Sequence, residues 1–361
     1  MSNYKIPILP FDTELETKPV LKKLAQAHRA LAELKGIAET IPNDTILINT
    51  LSLQEAKDSS AIENIITTHD ELYRADALSK EFASTASKEV HSYAVALRKG
   101  FEIVRQKGIL SNNHILEIQA TIEDNNAGFR KLPGTALKNE KTGEVVYTPP
   151  QHPQEIIDLM SNLEKFINDN SLSDWDALVK MAVVHHQFES IHPFYDGNGR
   201  TGRIINILYL VKEDLLKIPI LYLSRYINQN KADYYKLLQK VRTDNAWQEW
   251  VLFILDGVEQ TALQTIKQIQ GIKVLMQSHK QKIRTELPKI YSQDILNNIF
   301  RHPYTKIEFV IADLGISRNT ATKYLDELAR IGILNKQKIG RDSYYINTEL
   351  YNLLGNINAN A

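Results

Sequence analysis

The sequence predicts a mainly α-helical protein, with a β-hairpin inside a helical domain and a small winged helix-turn-helix module at its C-terminal end. Apolar residues recur at three- and four-residue spacing over most of the chain, which is the period of an amphipathic helix. Glycine and proline cluster in residues 127–150, where a hairpin fits better than a helix. Residues 289–361 place three helical runs before two strand-like runs. A chain of 361 residues has room for two or three domains.

The composition is that of an ordinary globular protein. The chain has 43 lysines and arginines against 43 aspartates and glutamates, and 43% of its residues are hydrophobic. This balance excludes disorder for most of the chain and argues against a surface that binds polyanions everywhere. The chain has no cysteine, which excludes disulfides, thiolate zinc sites and cysteine nucleophiles and fits a reducing compartment.

No apolar stretch approaches the roughly 20 residues that a bilayer requires, so we expect no membrane partner. The N-terminal residues also lack the basic start, apolar core and cleavage site of a secretory signal. We therefore expect a cytoplasmic protein.

The helical pattern begins in residues 13–40, where Leu24 and Leu31 share one face. Pro42 interrupts this first helix, and Ser111 is typical of a residue that caps a helix start. Further helices are predicted over residues of about 46–66, 86–106, 153–168, 175–189, 200–213, 231–241 and 246–286. A domain built mainly of packed helices follows from this pattern.

The predicted hairpin occupies residues 127–150. Gly143 has turn chemistry, and residues 144–148 (Glu-Val-Val-Tyr-Thr) have the composition of a strand. Pro149 and Pro150 then end the segment before the next helix. We interpret it as a β-hairpin or flap inserted into the helical domain.

The C-terminal residues form a separate predicted module. Helical runs at about 292–300, 306–314 and 317–330 precede two strands on either side of Gly340-Arg341, which is the winged helix-turn-helix pattern. Nine lysines and arginines against seven aspartates and glutamates leave this module a net charge of only +2. Many winged helices bind proteins, so DNA stays open as a partner but is not favoured.

The segment from Ile191 to Arg203 concentrates reactive residue types between two apolar helical runs. Residues 197–199 (Gly-Asn-Gly) form a tight loop that leads directly into a helix, so free backbone N–H groups would face an anion. Arg200 and Arg203 lie three residues apart in the first helical turn. Cations are unfavourable at a helix N-terminus, and two of them there indicate that a polyanion binds.

Two more side chains complete this segment. Asp196 adds a carboxylate that suits Mg²⁺ shared with phosphates. His192 adds a base whose ordinary pKa lies near neutrality. The residue types therefore favour a catalytic phosphate site over a plain helix cap.

Residues 192–203 read HPFYDGNGRTGR and match the motif HPFxDGNGRxxR at every specified position. Residues 182–191 and 221–242 also resemble the segments that flank this motif in Fic proteins. The chain therefore resembles the Fic family, which implies a Fic-fold helical bundle with a β-hairpin flap.

The resemblance implies how the chain divides into domains. Residues 1–85 would be an N-terminal helical region whose helix at about 46–66 is inhibitory, and residues 86–257 would be the Fic core. Residues 258–288 are expected to be a helical linker, and residues 289–361 the winged-helix-like domain.

The resemblance implies an autoinhibited, Mg²⁺-dependent transfer of AMP from ATP to a Ser, Thr or Tyr hydroxyl of a target protein, with self-modification left open. His192 would take the proton of the attacking hydroxyl, Asp196 would hold Mg²⁺, and Arg203 would bind the γ-phosphate. Tyr234 and Tyr235 match a pair that walls the nucleotide pocket in relatives. The implied ATP-binding residues are Asp196, Gly197, Asn198, Gly199, Arg200, Thr201, Gly202, Arg203, Tyr234 and Tyr235.

Fic flaps clamp the backbone of the target by strand addition. The candidate flap segment is Gly134, Thr135, Ala136 and Leu137. The turn at 138–143 is longer than in simpler relatives, so the chain departs here from the family pattern.

Residues 59–64 read SSAIEN and fit the inhibitory signature [ST]xxxE[GN] of autoinhibited Fic proteins. Ser59, Glu63 and Asn64 are the implied inhibitory residues, with Ser59 and Glu63 on one helix face. Glu63 would pair with Arg203 and deny the γ-phosphate its ligand. As a bare pattern, residues 60–63 also fit a helix capping box.

Other functions stay open at this point. The same residues could remove AMP from a modified protein, or the chain could be an ATP-sensing, DNA-binding regulator. A metal-dependent hydrolase built on His185, His186 and Glu189 is not favoured, because their spacing matches neither HExxH nor its inverse. The kinase branch of the fold lacks the full GNGR loop, which is intact here. The target protein is not identified, and a homo-oligomer is left open.

Overall fold

The computed structural model describes residues 4–78, 84–139, 142–339 and 342–355, and these residues confirm the predicted mainly α-helical fold. The helices before the hairpin are α1 (Lys18–Ala38), α2 (Asp44–Ile62), α3 (His69–Leu78), α4 (Thr85–Lys107) and α5 (Asn112–Glu123). The hairpin consists of β1 (Leu137–Lys138) and β2 (Val145–Tyr147). The helices after the hairpin are α6 (Pro153–Asn168), α7 (Ala177–Ile191), α8 (Asn198–Lys212), α9 (Leu223–Gln229), α10 (Lys231–Asp244) and α11 (Trp247–Glu286).

The C-terminal region has helices α12 (Gln293–Arg301), α13 (Ile307–Leu314), α14 (Arg318–Arg330) and α15 (Thr348–Gly355), with strands β3 (Tyr304–Thr305), β4 (Asn335–Ile339) and β5 (Asp342–Ile346). The strands form an antiparallel sheet in the order β3-β5-β4, so the three helices and the hairpin follow the predicted winged helix-turn-helix order. The predicted turn residues Gly340 and Arg341 lie outside the described residues. Strand β3 and helix α15 were not predicted.

Helices α7 and α8 form the centre of the helical domain. Side chains on all sides of α7 are buried, among them Val183 and Phe188, because α6, α8 and α11 surround it. A helix that is apolar around its whole circumference is stable only when neighbours cover every side. Helix α8 also contacts α4 and α5. The loop of residues 192–197 is therefore held at both ends by buried helices.

Helix α2 ends earlier than the sequence predicted. Its last residue is Ile62, not about residue 66, because Asn64 adopts a left-handed conformation with φ 63°. The Asn43 side chain caps the start of α2 by accepting a hydrogen bond from Thr45 N–H. Since Ser60 and Glu63 lie at the C-terminal end of α2, the capping-box interpretation of residues 60–63 is wrong.

Helix α11 runs without interruption for 40 residues. Its buried side chains include Val258, Ala262 and Ile269, so the segment that the sequence analysis treated as a linker lies against the helical domain. Helix α1 is its main neighbour, and an ion pair of 2.6 Å joins Lys23 to Glu259. Among the described residues, no helix has both the length and the apolar character needed to cross a bilayer.

The hairpin is short. Leu137 pairs with Tyr147 and Lys138 with Val145, and the register shifts between these two pairs. The Tyr147 hydroxyl donates to the Ser190 carbonyl of α7 at 2.9 Å. The hairpin is thereby attached to the helix that precedes His192.

Helix α2 also contacts the C-terminal region. The buried Gln54 side chain donates to the Leu354 carbonyl of α15 at 2.7 Å and accepts a hydrogen bond from Gln268 of α11 at 3.0 Å. Helix α12 packs on the same helix. One helix therefore touches both the helical domain and the C-terminal region.

We expect Gln54→Ala to weaken the attachment of α15 to α2. The substitution leaves a buried carbonyl and a buried amide unpaired, which costs about 1–3 kcal/mol. Urea unfolding would show a lower midpoint, and hydrogen exchange would rise in the peptides that cover α15 and α2. The exposed Gln277→Ala is the matched control. Equal behaviour of the two variants would contradict the expectation.

Candidate active site

The loop between α7 and α8 is held by its own side chains. The Asn198 amide accepts a hydrogen bond from Phe194 N–H at 2.8 Å and donates to the Phe194 carbonyl at 2.9 Å. Gly197 begins the turn into α8 with φ 74°, a conformation that favours glycine. Both polar atoms of the Asn198 side chain thus bind this backbone, and the residue also lines the cavity described below.

The start of α8 leaves backbone N–H groups without helical partners, as every helix N-terminus does. Gly199 lies in this first turn, and a side chain there would meet Glu63 Oε1 at 2.6 Å and Arg203 Nη1 at 2.8 Å. Only glycine allows these charged groups to approach the loop so closely. The predicted anion site is therefore bordered by a carboxylate and a guanidinium.

Arg203 is bonded to the end of α2 through its Nε and Nη2 atoms. Its Nη2 donates to Glu63 Oε1 at 2.8 Å and to the Ser59 carbonyl at 3.0 Å, while its Nε donates to Ser59 Oγ at 2.7 Å. Burial works against the charge of Arg203, but the Glu63 carboxylate, with smaller contributions from Tyr234, Tyr93 and Glu189, holds the pKa of Arg203 above its ordinary value. The structure thus brings together Glu63 and Arg203, the pair that the family resemblance implied across 140 positions, and adds Ser59 as a second partner.

Arg200 has partners that the sequence analysis missed. Glu63 Oε2 lies 2.8 Å from its Nε, and the carboxylates of Glu89 and Glu123 lie 3.3 and 2.9 Å from its Nη atoms. Burial raises the pKa of Glu123, although the charge of Arg200 opposes that shift. No spacing in the sequence links these residues, because they lie on α2, α4 and the end of α5.

The Asn64 side chain accepts a hydrogen bond from Lys231 Nζ at 3.3 Å, so the third predicted inhibitory residue contacts the start of α10. Glu63 itself bridges Arg200 and Arg203 with its two oxygens. The end of α2 is therefore bonded to α8 and α10 together.

His192 follows α7 directly and adopts a left-handed conformation with φ 48°. Burial, together with the positive charges of Arg130 and Arg242, lowers the pKa of His192 to about 3. The imidazole is consequently neutral over the ordinary pH range. A neutral imidazole can accept a proton, which is the state that a general base requires.

Asp196 is exposed over 78% of its side chain and accepts a hydrogen bond from Gly197 N–H at 2.7 Å. Within the described ranges no three His, Cys, Asp or Glu side chains gather into a metal site. A carboxylate at the edge of a phosphate site suits Mg²⁺, which takes one or two protein carboxylates and completes its shell with phosphate oxygens and water. The residues present therefore fit a shared magnesium ion.

These groups face one cavity of about 960 Å³, which is large enough for a nucleotide. His192, Asp196 and Arg203 line it, together with both predicted tyrosines. Tyr234 is buried and bonded to His185 at 2.9 Å, whereas Tyr235 is half exposed.

Of the predicted ATP-binding and flap residues, four lie away from the cavity lining in the described structure. Thr201 is fully buried, and Gly202 packs against Phe188 and Glu189 of α7, so neither position supports the prediction of nucleotide contact. Of the flap segment, Ala136 and Leu137 line the cavity. Gly134 and Thr135 instead bond to the Gln151 side chain.

The histidines of α7 have structural partners. His185 bonds to the Tyr234 hydroxyl, and His186 lies 3.2 Å from the Leu238 carbonyl. Both are completely buried, and burial lowers the pKa of each. This arrangement gives no support to a hydrolytic metal site there.

Comparison with known proteins matches three family models to the chain. The model described as Fic/DOC family N-terminal matches residues 21–102, and the Fic/DOC family model matches residues 109–210. The model described as protein adenylyltransferase SoFic-like, C-terminal domain, matches residues 275–350.

Curated relatives match part of the chain. The protein adenylyltransferase Fic of Drosophila erecta is 30% identical over 112 residues, which is 31% of this chain and 21% of the relative. A protein adenylyltransferase of Caenorhabditis briggsae is 26% identical over 91 residues, 25% of this chain and 16% of the relative. The chain thus spans about a fifth of the length of these relatives.

Solved structures share the fold. A Fic family protein from Desulfovibrio desulfuricans G20 superposes with a TM-score of 0.58 at 18% identity, covering 93% of this chain and 97% of that one. A Fic domain containing signaling protein from Bacteroides thetaiotaomicron has a TM-score of 0.52 at 17% identity, covering 70% and 97%. The motif, the fold and the matched models agree, and the chain belongs to the Fic/DOC family with a SoFic-like C-terminal domain.

Proposed function

We propose that the protein transfers AMP from ATP to a hydroxyl group of a target protein and that Glu63 inhibits this transfer. One observation carries the proposal: His192, Asp196 and the Arg203–Glu63 pair face the same nucleotide-sized cavity. The names of the curated relatives agree with this chemistry.

In the proposed reaction the target hydroxyl oxygen forms a bond to the α-phosphorus of ATP. The bond from that phosphorus to the oxygen that bridges to the β-phosphate breaks, and pyrophosphate leaves. His192 takes the hydroxyl proton, for which its neutral state is suited. The free N–H groups at the start of α8 stabilise the negative charge on the phosphate oxygens.

Asp196 would hold Mg²⁺ beside the phosphates, since its carboxylate is exposed at the cavity. When bound, the ion neutralises phosphate charge during the transfer. Protein groups carry out the other steps. His192 accepts the proton, and the first turn of α8 orients the phosphates.

The ion pairs support a division of labour between the two arginines. If Glu63 moves away, Arg200 keeps Glu89 and Glu123, whereas Glu63 is the single ion-pair partner of Arg203 among the described residues. Arg203 would then need a new anion, and the γ-phosphate of ATP can supply it. While Glu63 stays, the phosphates are misplaced, and an error of about 1 Å can cost roughly 100-fold in rate.

Removal of the Glu63 carboxylate should relieve the proposed inhibition. Incubation with Mg²⁺ and α-³²P-ATP should label Glu63→Gly at least about tenfold more than the wild type, because Arg203 becomes free for phosphate. The double variant Glu63→Gly with His192→Ala should show no label. The measurement is the initial rate of label incorporation into protein.

Glu39→Gly is the matched control, because Glu39 also follows the last residue of a helix but is exposed and far along the chain from the motif. It should behave like the wild type. Equal labelling of Glu63→Gly and the wild type would contradict inhibition by Glu63. Absence of label from every variant would contradict AMP transfer itself.

The buried imidazole of His192 determines how the labelling rate should depend on pH. Since the pKa of His192 is lowered to about 3, the imidazole stays neutral from pH 8 down to pH 6. The labelling rate of Glu63→Gly at saturating Mg·ATP should therefore change less than about twofold over that range. A histidine with the ordinary pKa near 6.5 would be roughly three-quarters protonated at pH 6, and a fourfold fall would count against the buried base.

The two arginines should respond differently to substitution in the Glu63→Gly background. Arg203→Gln should raise the Kd for α,β-methylene-ATP about tenfold or more in calorimetry, because it removes the cation that binds the γ-phosphate. The Tm should change little, because in this background Arg203 has already lost its carboxylate partner. Arg200→Gln should lower Tm clearly, because Glu89 and Glu123 are left without their cation. A larger effect on Kd from Arg200→Gln would refute this division.

A further inference from the structure

Arg130 is a buried cation between the hairpin and α7. The residue is only 1% exposed, and among the described residues no acidic side chain forms an ion pair with it. Burial lowers the pKa of Arg130 below its ordinary value. A charge in this position needs compensation from other polar groups.

The compensation comes mainly from the C-terminal end of α7. Arg130 Nε donates to the His192 carbonyl at 2.8 Å, and Nη2 lies 3.5 Å from the Ile191 carbonyl. The last carbonyls of a helix lack helical partners and carry the negative end of its dipole. The guanidinium therefore caps α7 at the residue that the proposed mechanism uses as its base.

Arg130 also connects the two ends of the hairpin segment. Its Nη2 donates to the Pro150 carbonyl at 2.9 Å, beyond β2. Its backbone N–H donates to the Pro193 carbonyl at 2.8 Å. Arg130 precedes the hairpin and Pro150 follows it, so one residue joins both ends of the hairpin segment. The same residue binds the carbonyls of His192 and Pro193.

The backbone of His192 is held in a conformation that most residues avoid. Its φ of 48° is left-handed, which costs a residue with a side chain about 1–2 kcal/mol. The His192 N–H donates to the Phe188 carbonyl at 2.9 Å, and its carbonyl accepts from Arg130. Both backbone polar groups are therefore occupied, and the direction of the imidazole into the cavity depends on this pair of bonds.

We infer that Arg130 is a positioning residue for His192: its guanidinium holds the His192 carbonyl and the Pro150 carbonyl together, so that the base and the hairpin keep one fixed relation. Arg130 acts through His192 and does not touch the nucleotide in this role. The inference rests on the proposed function, in which His192 is the base.

The test compares Arg130→Lys and Arg130→Met in the Glu63→Gly background, with Arg105→Met as the matched control on the exposed face of α4. We expect kcat for labelling to fall about tenfold in Arg130→Lys and about 100-fold in Arg130→Met, because lysine keeps the charge but lacks the planar fork. KM for ATP should stay within about threefold, and Arg105→Met should leave both constants unchanged.

Two kinetic outcomes would overturn the inference. One is an unchanged kcat in Arg130→Met. The other is a parallel loss of kcat, ATP affinity and Tm in both Arg130 variants, which would mean that the residue only supports folding. Calorimetry with α,β-methylene-ATP and thermal melts supply those two readouts.

A spectroscopic measurement separates this inference from the proposed function. Protein labelled with ¹⁵N-histidine gives imidazole signals, and His192→Ala assigns the signal of His192. Arg130→Met should shift that signal, whereas Arg105→Met should not. If no variant transfers AMP, the proposed function fails, yet the spectrum still decides the inference: an unmoved His192 signal in Arg130→Met refutes it.

Discussion

The buried guanidinium of Arg203 is the constraint on which the active site depends. The residue is only 3% exposed, and it is held by Ser59 and Glu63 of a different helix. Removing one partner of a buried ion pair costs about 3–5 kcal/mol, because the other charge stays uncompensated. The end of α2 is therefore bound to α8 as long as no other anion replaces Glu63. A triphosphate is such an anion, which is why binding and inhibition would compete for the same cation.

Helix α2 extends this constraint to the rest of the molecule. Its last turn binds the arginines of α8, while Asp58 pairs with Arg225 of α9 at 3.1 Å. Gln54, one turn earlier, binds the backbone of α15. The C-terminal region therefore contacts the same helix that covers the active site.

Burial sets the protonation states around the cavity. Desolvation lowers the pKa of His192 and raises the pKa of Glu189 to about 7, and both residues line the cavity. In such a poorly solvated site each charge acts more strongly than in water. The mainly buried wall made by α7 and α8 thus keeps the His192 imidazole neutral. It also strengthens the interaction of Arg203 with whichever anion lies beside it, Glu63 or a phosphate.

The sequence by itself determined the reactive loop and most helices. Residues 192–203 are contiguous, so their spacing specifies a local loop and helix start, and Ser111 caps α5 as its residue type predicts. Short elements such as α9 and β3 escaped prediction because they hold too few residues for a periodic pattern. The partners Glu89 and Arg130 were decided by tertiary structure alone. They lie 111 and 62 positions from the residues they bind, and only helix packing, which local periodicity does not encode, brings them together.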